Sequence, residues 1–269
     1  MIATSHSTSL IALDAVALDT ETTGLDARTA RLVQIAALRL SGGNLLPEER
    51  FEALVNPGRP IPQSAIAVHG ITDAMVAGAP PFSAITPALE AFTGTATIIG
   101  HTIRYDLAIL QREYAVAGRP APPFRALDVR TLAQLAAPTL ADYGLERLCE
   151  WLGVTIVGRH TATGDARAAG EVFLALVPLL RAKGIRTLAE AEAACRALAE
   201  REAAAGASAV LPSSPASASG STAVARLDSF LYRHRVRDVM SAPPVFAAPD
   251  TTLRDAVRLL QRARARRLG

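Results

Sequence analysis

Hydrophobic and polar positions fall into strand-like and helix-like stretches along this chain. Residues 14–19 (DAVALD) form a short apolar stretch that ends on an acid, and 31–40 (RLVQIAALRL) is a second run of strand length. Gly42, Gly43 and Asn44 supply a turn, and 51–55 gives a third strand, so an antiparallel meander is expected. Pro57, Gly58, Pro60 and Pro62 then mark a loop. Helical segments are expected over 63–68, 72–77 and 83–93, and a strand over 95–100. A helix follows over 105–117, with Leu107, Ile109, Leu110 and Tyr114 at its apolar positions. Further helices are expected over 128–136, 145–152 (ended by Gly153), 164–180 and, more weakly, 187–203. A meander followed by strand–helix alternation predicts an α/β fold with a mixed central sheet flanked by helices.

The pattern changes after residue 203. Residues 204–223 are almost wholly Ala, Ser, Gly and Pro, which reads as a flexible linker unable to bury a core. The expected organisation is a main domain over 12–182, a trailing helix over 183–203, a linker over 204–225 and a separate segment over 226–269. That last segment is basic, with Arg254, Arg258, Arg262, Arg264, Arg266 and Arg267 close together. The net charge of the chain is only +3, so the remainder is near neutral and composition alone does not indicate a nucleic-acid binder. Aromatic residues are 4%, so the core must be built from Ala, Leu, Val and Ile. Cys149 and Cys195 have neither metal-ligand spacing nor a disulfide framework, and read as small apolar fillers in a reducing compartment. No leader pattern and no apolar run of membrane-spanning length is seen, so a cytoplasmic protein that does not engage a membrane is expected.

The chemistry-bearing residues are acidic. In Asp19-Thr20-Glu21-Thr22-Thr23-Gly24-Leu25-Asp26, a strand continuing to residue 21 puts Asp19 and Glu21 on one face. Two carboxylates facing the same way repel unless a cation offsets them, and hard oxygen ligands select Mg²⁺ or Mn²⁺. Gly24 is expected to let the chain turn sharply and approach a substrate closely. Taken alone, the pair reads more readily as a solvated strand end. A second segment runs from His101 to Asp106, where Asp106 at a helix start can point toward the sheet edge or act as a cap. A third runs from His160 to Ala166, with Asp165 in the first turn of a long helix and His160 on the preceding loop. Taken alone, His160 reads as a surface histidine.

In that order, DTETTG, HTIRYD and HTATGDA resemble the three motifs of the DnaQ-like, DEDDh 3′→5′ exonuclease family, D-x-E-T-T-G, H-N-x-x-F-D and H-x-A-x-x-D-A. The stretch at 54–80 and the L-x-x-L-x-x-x-L-G-V pattern at 145–154 share the family's texture, and the resemblance covers residues 12–182. It implies a ribonuclease H-like fold and two-metal hydrolysis releasing nucleoside 5′-monophosphates from the 3′ end of single-stranded DNA or RNA. Two ions, Mg²⁺ or Mn²⁺, are implied, one held by Asp19, Glu21 and Asp165 and a second by Asp19 and Asp106. His160 is implied as general base. Thr22, Thr23, Gly24, Leu25, Ile71 and His101 are the implied substrate contacts, Ile71 as an apolar wedge. Thr102 replaces the usual Asn, Tyr105 the usual Phe, and Gln34 sits where many members carry Glu.

Residues 236–260 resemble the first half of a CBS motif, with Thr251 or Thr252 capping its helix and Asp255 in the first turn. Such motifs work in pairs, so an adenine nucleotide is expected only if a longer protein supplies the rest. The arginine-rich end alternatively holds nucleic acid electrostatically. Two other functions compete with the exonuclease. A non-catalytic nucleic-acid-binding module predicts a broken catalytic position, and none of the five is broken. An adenylate sensor needs a complete motif pair.

Overall fold

A computed structural model describes residues 8–208. The linker expected over 204–225 starts later than that, since residues 204–208 continue a helix that runs Leu188–Ser208; the rest of it and the CBS-like segment lie outside the described residues.

Three strands, β1 (Ala15–Thr22), β2 (Leu32–Ser41) and β3 (Asn44–Leu54), form the meander that the apolar stretches and the intervening turn predict. β3 begins seven residues earlier than expected (at 44 rather than 51), because Asn44, Leu45 and Leu46 pair with Ser41, Leu40 and Arg39, and after an irregularity over 47–49 the pairing resumes at Arg50. Beyond the meander come α1 (Gln63–His69), α2 (Asp73–Val76), α3 (Phe82–Thr93), β4 (Thr97–Gly100) and α4 (Arg104–Val116). β5 (Ala126–Asp128), α5 (Val129–Ala136), α6 (Leu145–Leu152), α7 (Ala162–Ala182) and α8 (Leu188–Ser208) complete the order. The sheet order is β3-β2-β1-β4-β5, with β1 antiparallel to β2 and parallel to β4, and β4 parallel to β5. This is the mixed sheet expected.

The sheet has a core on each face. Ala15, Ala17, Leu40 and Ile99 pack with Val172, Phe173 and Leu176 of α7 and with residues of α5 and α6. Val16, Leu18, Ile35 and Ile98 pack on the other face with Ile103, Tyr105, Ile109 and Tyr114 around α4. Each fully buried aliphatic side chain, such as Ile35 or Ile99, contributes roughly 1.5–3 kcal/mol. Helix α7 lies close on β1, and Gly170 is what permits it. A Cβ there would sit 3.1 Å from the Ala17 Cβ and 3.0 Å from Leu45. The small pair Ala17 and Gly170 thereby brings the start of α7 over the end of β1.

Candidate active site

Strand parity decides which acids meet. Ala15 and Ala17 face the α7 side of the sheet, and Val16 and Leu18 face the α4 side. Continued along β1, the alternation sends Asp19 and Glu21 toward α7 and Thr20 toward α4. Pairing with β4 is recorded from Ala15 to Ala17, so the acids lie beyond it, at the carboxyl end of the parallel strands.

Asp19, Glu21 and Asp165 each offer a carboxylate oxygen, all within 4.8 Å of one another. Their residues are 7%, 0% and 3% exposed. At that spacing and an effective dielectric near 20, each pair of charges repels by roughly 3–4 kcal/mol. The Arg159 guanidinium donates through Nη1 to Asp165 Oδ2, and its Nε donates to Glu146 Oε1 at 3.3 Å. Because Glu146 brings its own charge, Arg159 leaves the trio strongly anionic. Hard, buried oxygens at this separation fit a divalent cation.

The start of α7 is built to hold Asp165 there. Thr161 caps the helix, accepting from the Gly164 amide at 3.1 Å and donating to the Gly158 carbonyl at 2.6 Å. The loop 158–161 presses so close to α7 that a Cβ on Gly164 would stand 2.0 Å from the Gly158 oxygen. His160 sits at the turn with φ +62°, a region where histidine is among the more tolerated non-glycine residues. Its amide donates to Asp165 Oδ1 at 3.3 Å. Gln34, the register partner of Glu21, ties this segment to the sheet. Its Oε1 accepts from the Ala162 amide at 3.1 Å while its Nε2 donates to Glu52 at 3.2 Å. A glutamate could not make both bonds.

Asp106 stands outside the trio. It lies in the first turn of α4, 2% exposed, on the other side of β1. Its Oδ1 accepts from the Thr20 amide at 3.0 Å and the Thr20 hydroxyl at 2.6 Å.

The residues expected to meet substrate separate into two groups. Gly24 and Leu25 are half-exposed. Thr22 and Thr23 are buried, and their hydroxyls turn inward, toward the Gly24 carbonyl (2.7 Å) and the Arg31 amide (2.9 Å) respectively. The Gly24 turn does not need glycine for its backbone, since its φ lies outside the left-handed region and a Cβ would meet nothing within 4 Å. Ile71 is 4% exposed and packs with Val33, Ile61 and Val76, so it is a core side chain rather than an apolar wedge. His101 also faces inward. Its Nε2 meets the Tyr143 carbonyl at 2.8 Å and its Nδ1 the Thr102 hydroxyl at 3.3 Å. Burial, aided by Arg159 and Arg130 and opposed by Asp128, holds the imidazole below its ordinary range. The neutral ring therefore donates from Nε2 and accepts at Nδ1.

Three supports escaped the sequence reading. Arg159 was unmarked by any motif. Thr20 lies between two acids and carries no signal of its own. Asp128 ends β5, where its Oδ1 accepts from the Thr102 amide at 2.9 Å and the Arg130 amide at 3.0 Å. The two thiols behave as fillers: burial pushes both Cys149 and Cys195 up to about 11. Among the described residues no helix is long and apolar enough to cross a membrane.

Comparison with known proteins agrees with this geometry. The exonuclease family model, RNase_T, matches residues 16–173. The CBS domain model matches residues 236–268, outside the described residues. A DNA polymerase III subunit epsilon-like protein of Rhodobacter capsulatus is 40% identical over 183 residues, 67% of this chain and 26% of that protein. The chain thus spans about a quarter of that relative's length. A DNA polymerase III subunit epsilon of Aquifex aeolicus is 32% identical over 164 residues, 60% of this chain and 79% of the relative. Among solved structures, exonuclease X in complex with 5′ overhanging duplex DNA superposes with a TM-score of 0.52 at 23% identity. That match covers 67% of this chain and 99% of the other, and it is a likeness of fold.

Proposed function

The chain belongs to the exonuclease family, and from that premise we propose that it removes nucleoside 5′-monophosphates one at a time from the 3′ end of a nucleic acid, DNA before RNA. The observation that carries this reading is the buried trio of Asp19, Glu21 and Asp165, with oxygens within 4.8 Å of one another.

Asp19, Glu21 and Asp165 would hold one divalent ion, Mg²⁺ or Mn²⁺. Asp106, approaching from the α4 side, would serve a second together with Asp19. When bound, such ions stabilise charge on the scissile phosphate and make water a stronger nucleophile near neutral pH. The protein's own part is to place the groups around that centre. His160 takes the proton from the attacking water at its imidazole. The hydrogen bond from its backbone amide to Asp165 ties the loop that carries the base to one of the acids. Gly24 and Leu25 receive the terminal nucleotide. Ile71 and His101 are left out of the substrate set because both face inward.

The preference for DNA rests on the two polymerase-subunit relatives and on the DNA held by the solved neighbour. The test is a panel of single-stranded DNA, 3′-recessed duplex DNA and RNA, each labelled at one end, incubated with Mg²⁺ or Mn²⁺. Mononucleotide release from a 3′ label, with a ladder shortening from that end, is the expected result. Internal cuts, release from the 5′ end, or no release from any substrate contradict it, and faster release from RNA reverses the order of substrates.

A further inference from the structure

The turn that follows the acidic strand is clamped from two sides. On one side the Thr23 amide donates to the Arg31 carbonyl and the Arg31 amide to Thr23 Oγ1, both at 2.9 Å. Arg31 is itself anchored, with Nε and Nη2 at 2.7 and 3.0 Å from the buried Glu113 carboxylate. On the other side lies Tyr105, which is 2% exposed. Its hydroxyl donates to the Gly24 carbonyl and lies 2.8 Å from Thr22 Oγ1, which is 2.7 Å from the same carbonyl. Three close contacts are thus served by two hydroxyl hydrogens, and the Gly24 oxygen is the acceptor on which both converge.

That convergence fixes a peptide plane. In a trans peptide the N–H points away from the C=O. With the Gly24 carbonyl pulled in toward Tyr105, the Leu25 N–H is turned out. Leu25 is half-exposed, and its amide has no acceptor among the described residues. It lies four residues after Glu21 and so, at about 3.3 Å per residue, no more than roughly 13 Å along the chain from the carboxylate trio.

We infer that Tyr105 is a positioning residue for the 3′ terminus: by holding the Gly24 carbonyl inward it presents the Leu25 amide as a donor to the oxygen of a terminal 3′-hydroxyl. This rests on the exonuclease reading given above. A phenylalanine here fills the same space but leaves the carbonyl with Thr22 alone, so the tyrosine hydroxyl adds a restraint.

The experiment compares two oligonucleotides, one ending in an ordinary 3′-hydroxyl and one in a 3′-deoxynucleotide, with the wild-type chain and with Tyr105→Phe. The readout is the ratio of kcat/KM for the two ends. A change in stability alone would scale both ends together and leave the ratio unmoved. Wild type is expected to favour the hydroxyl end, and Tyr105→Phe to reduce that preference about three- to ten-fold, mainly through KM for the hydroxyl end. Thr22→Val removes the other hydrogen from the same carbonyl and is expected to move the ratio in the same direction, which keeps the question answerable if Tyr105→Phe does not fold. Equal ratios in wild type and variants, with all active, overturn this inference and leave the exonuclease reading standing. Absence of nucleotide release from the wild type overturns both.

Discussion

Asp106 reaches back 86 residues to Thr20, accepting the strand's amide at 3.0 Å and the threonine hydroxyl at 2.6 Å on a single carboxylate oxygen. The bond locks the start of α4 to β1 on the face opposite Asp19. It also aims a buried carboxylate that the proposed mechanism needs. Thr20→Val keeps the shape and the amide bond and removes the hydroxyl donor. We expect it to lower stability by about 0.5–1.5 kcal/mol, read by urea unfolding, and to reduce kcat by roughly ten-fold with KM little changed. An unchanged kcat contradicts the role of the Thr20 hydroxyl in placing Asp106.

Gly164 is the closest approach in the site. An alanine Cβ there would collide with the Gly158 carbonyl at 2.0 Å, and backbone, unlike a flexible side-chain end, yields only at a cost. The loop carrying His160 must then move away from α7. Gly164→Ala is expected to cost about 1–3 kcal/mol of stability and to lower turnover at least a hundred-fold. Thermal unfolding and nucleotide release measure the two effects separately. Retained turnover contradicts the tight seating of this loop.

Thr102 holds φ +57°, a left-handed conformation that suits a β-branched residue poorly. The resembled family usually places Asn here, a residue that tolerates this region. Thr102→Asn is expected to raise stability by about 0.5–1.5 kcal/mol, a gain of a few degrees in Tm, while the Asp128 bond to the residue 102 amide persists. A fall in Tm contradicts the strain.

His101 gives the site a pH dependence of known sign. Burial holds its imidazole below the ordinary 6.5, so the unfolded chain takes up a proton that the folded chain refuses. Stability is therefore full above the unfolded pKa, declines as pH falls through about 6.5, and levels off below the folded pKa. His101→Gln can still donate to the Tyr143 carbonyl but does not titrate. Its stability is expected to change less between pH 7.5 and about 5 than that of the wild type. Parallel curves, measured by denaturant unfolding at each pH, contradict the buried neutral ring.

Much of this was legible from residues alone. Apolar stretches of strand length and the turn at Gly42–Asn44 point to the meander, and the three motifs point to the acids. β5 was missed because three residues, Ala126, Leu127 and Asp128, run straight into α5 and show no rhythm of their own. Asp106 was expected to join the other acids. The sequence could not show that Thr20, pointing the opposite way from Asp19, would claim one of its oxygens. Ile71 carried no signal separating a wedge from a core residue, and only its packing with Val33 and Val76 decides. The departures at Tyr105 and Gln34 were visible as letters. Their roles depend on a carbonyl and an amide brought near by folding, which side-chain identity does not encode.

The proposed hydrolysis requires a cation held by Asp19, Glu21 and Asp165. The most direct test is Mn²⁺ binding by calorimetry together with mononucleotide release, for wild type and for Asp19→Asn, Glu21→Gln and Asp165→Asn. Each variant removes one charge from the trio with little change of shape. Weaker Mn²⁺ binding and turnover reduced by at least a hundred-fold in all three variants is the predicted result. Wild-type affinity and wild-type turnover in any one of them would contradict it.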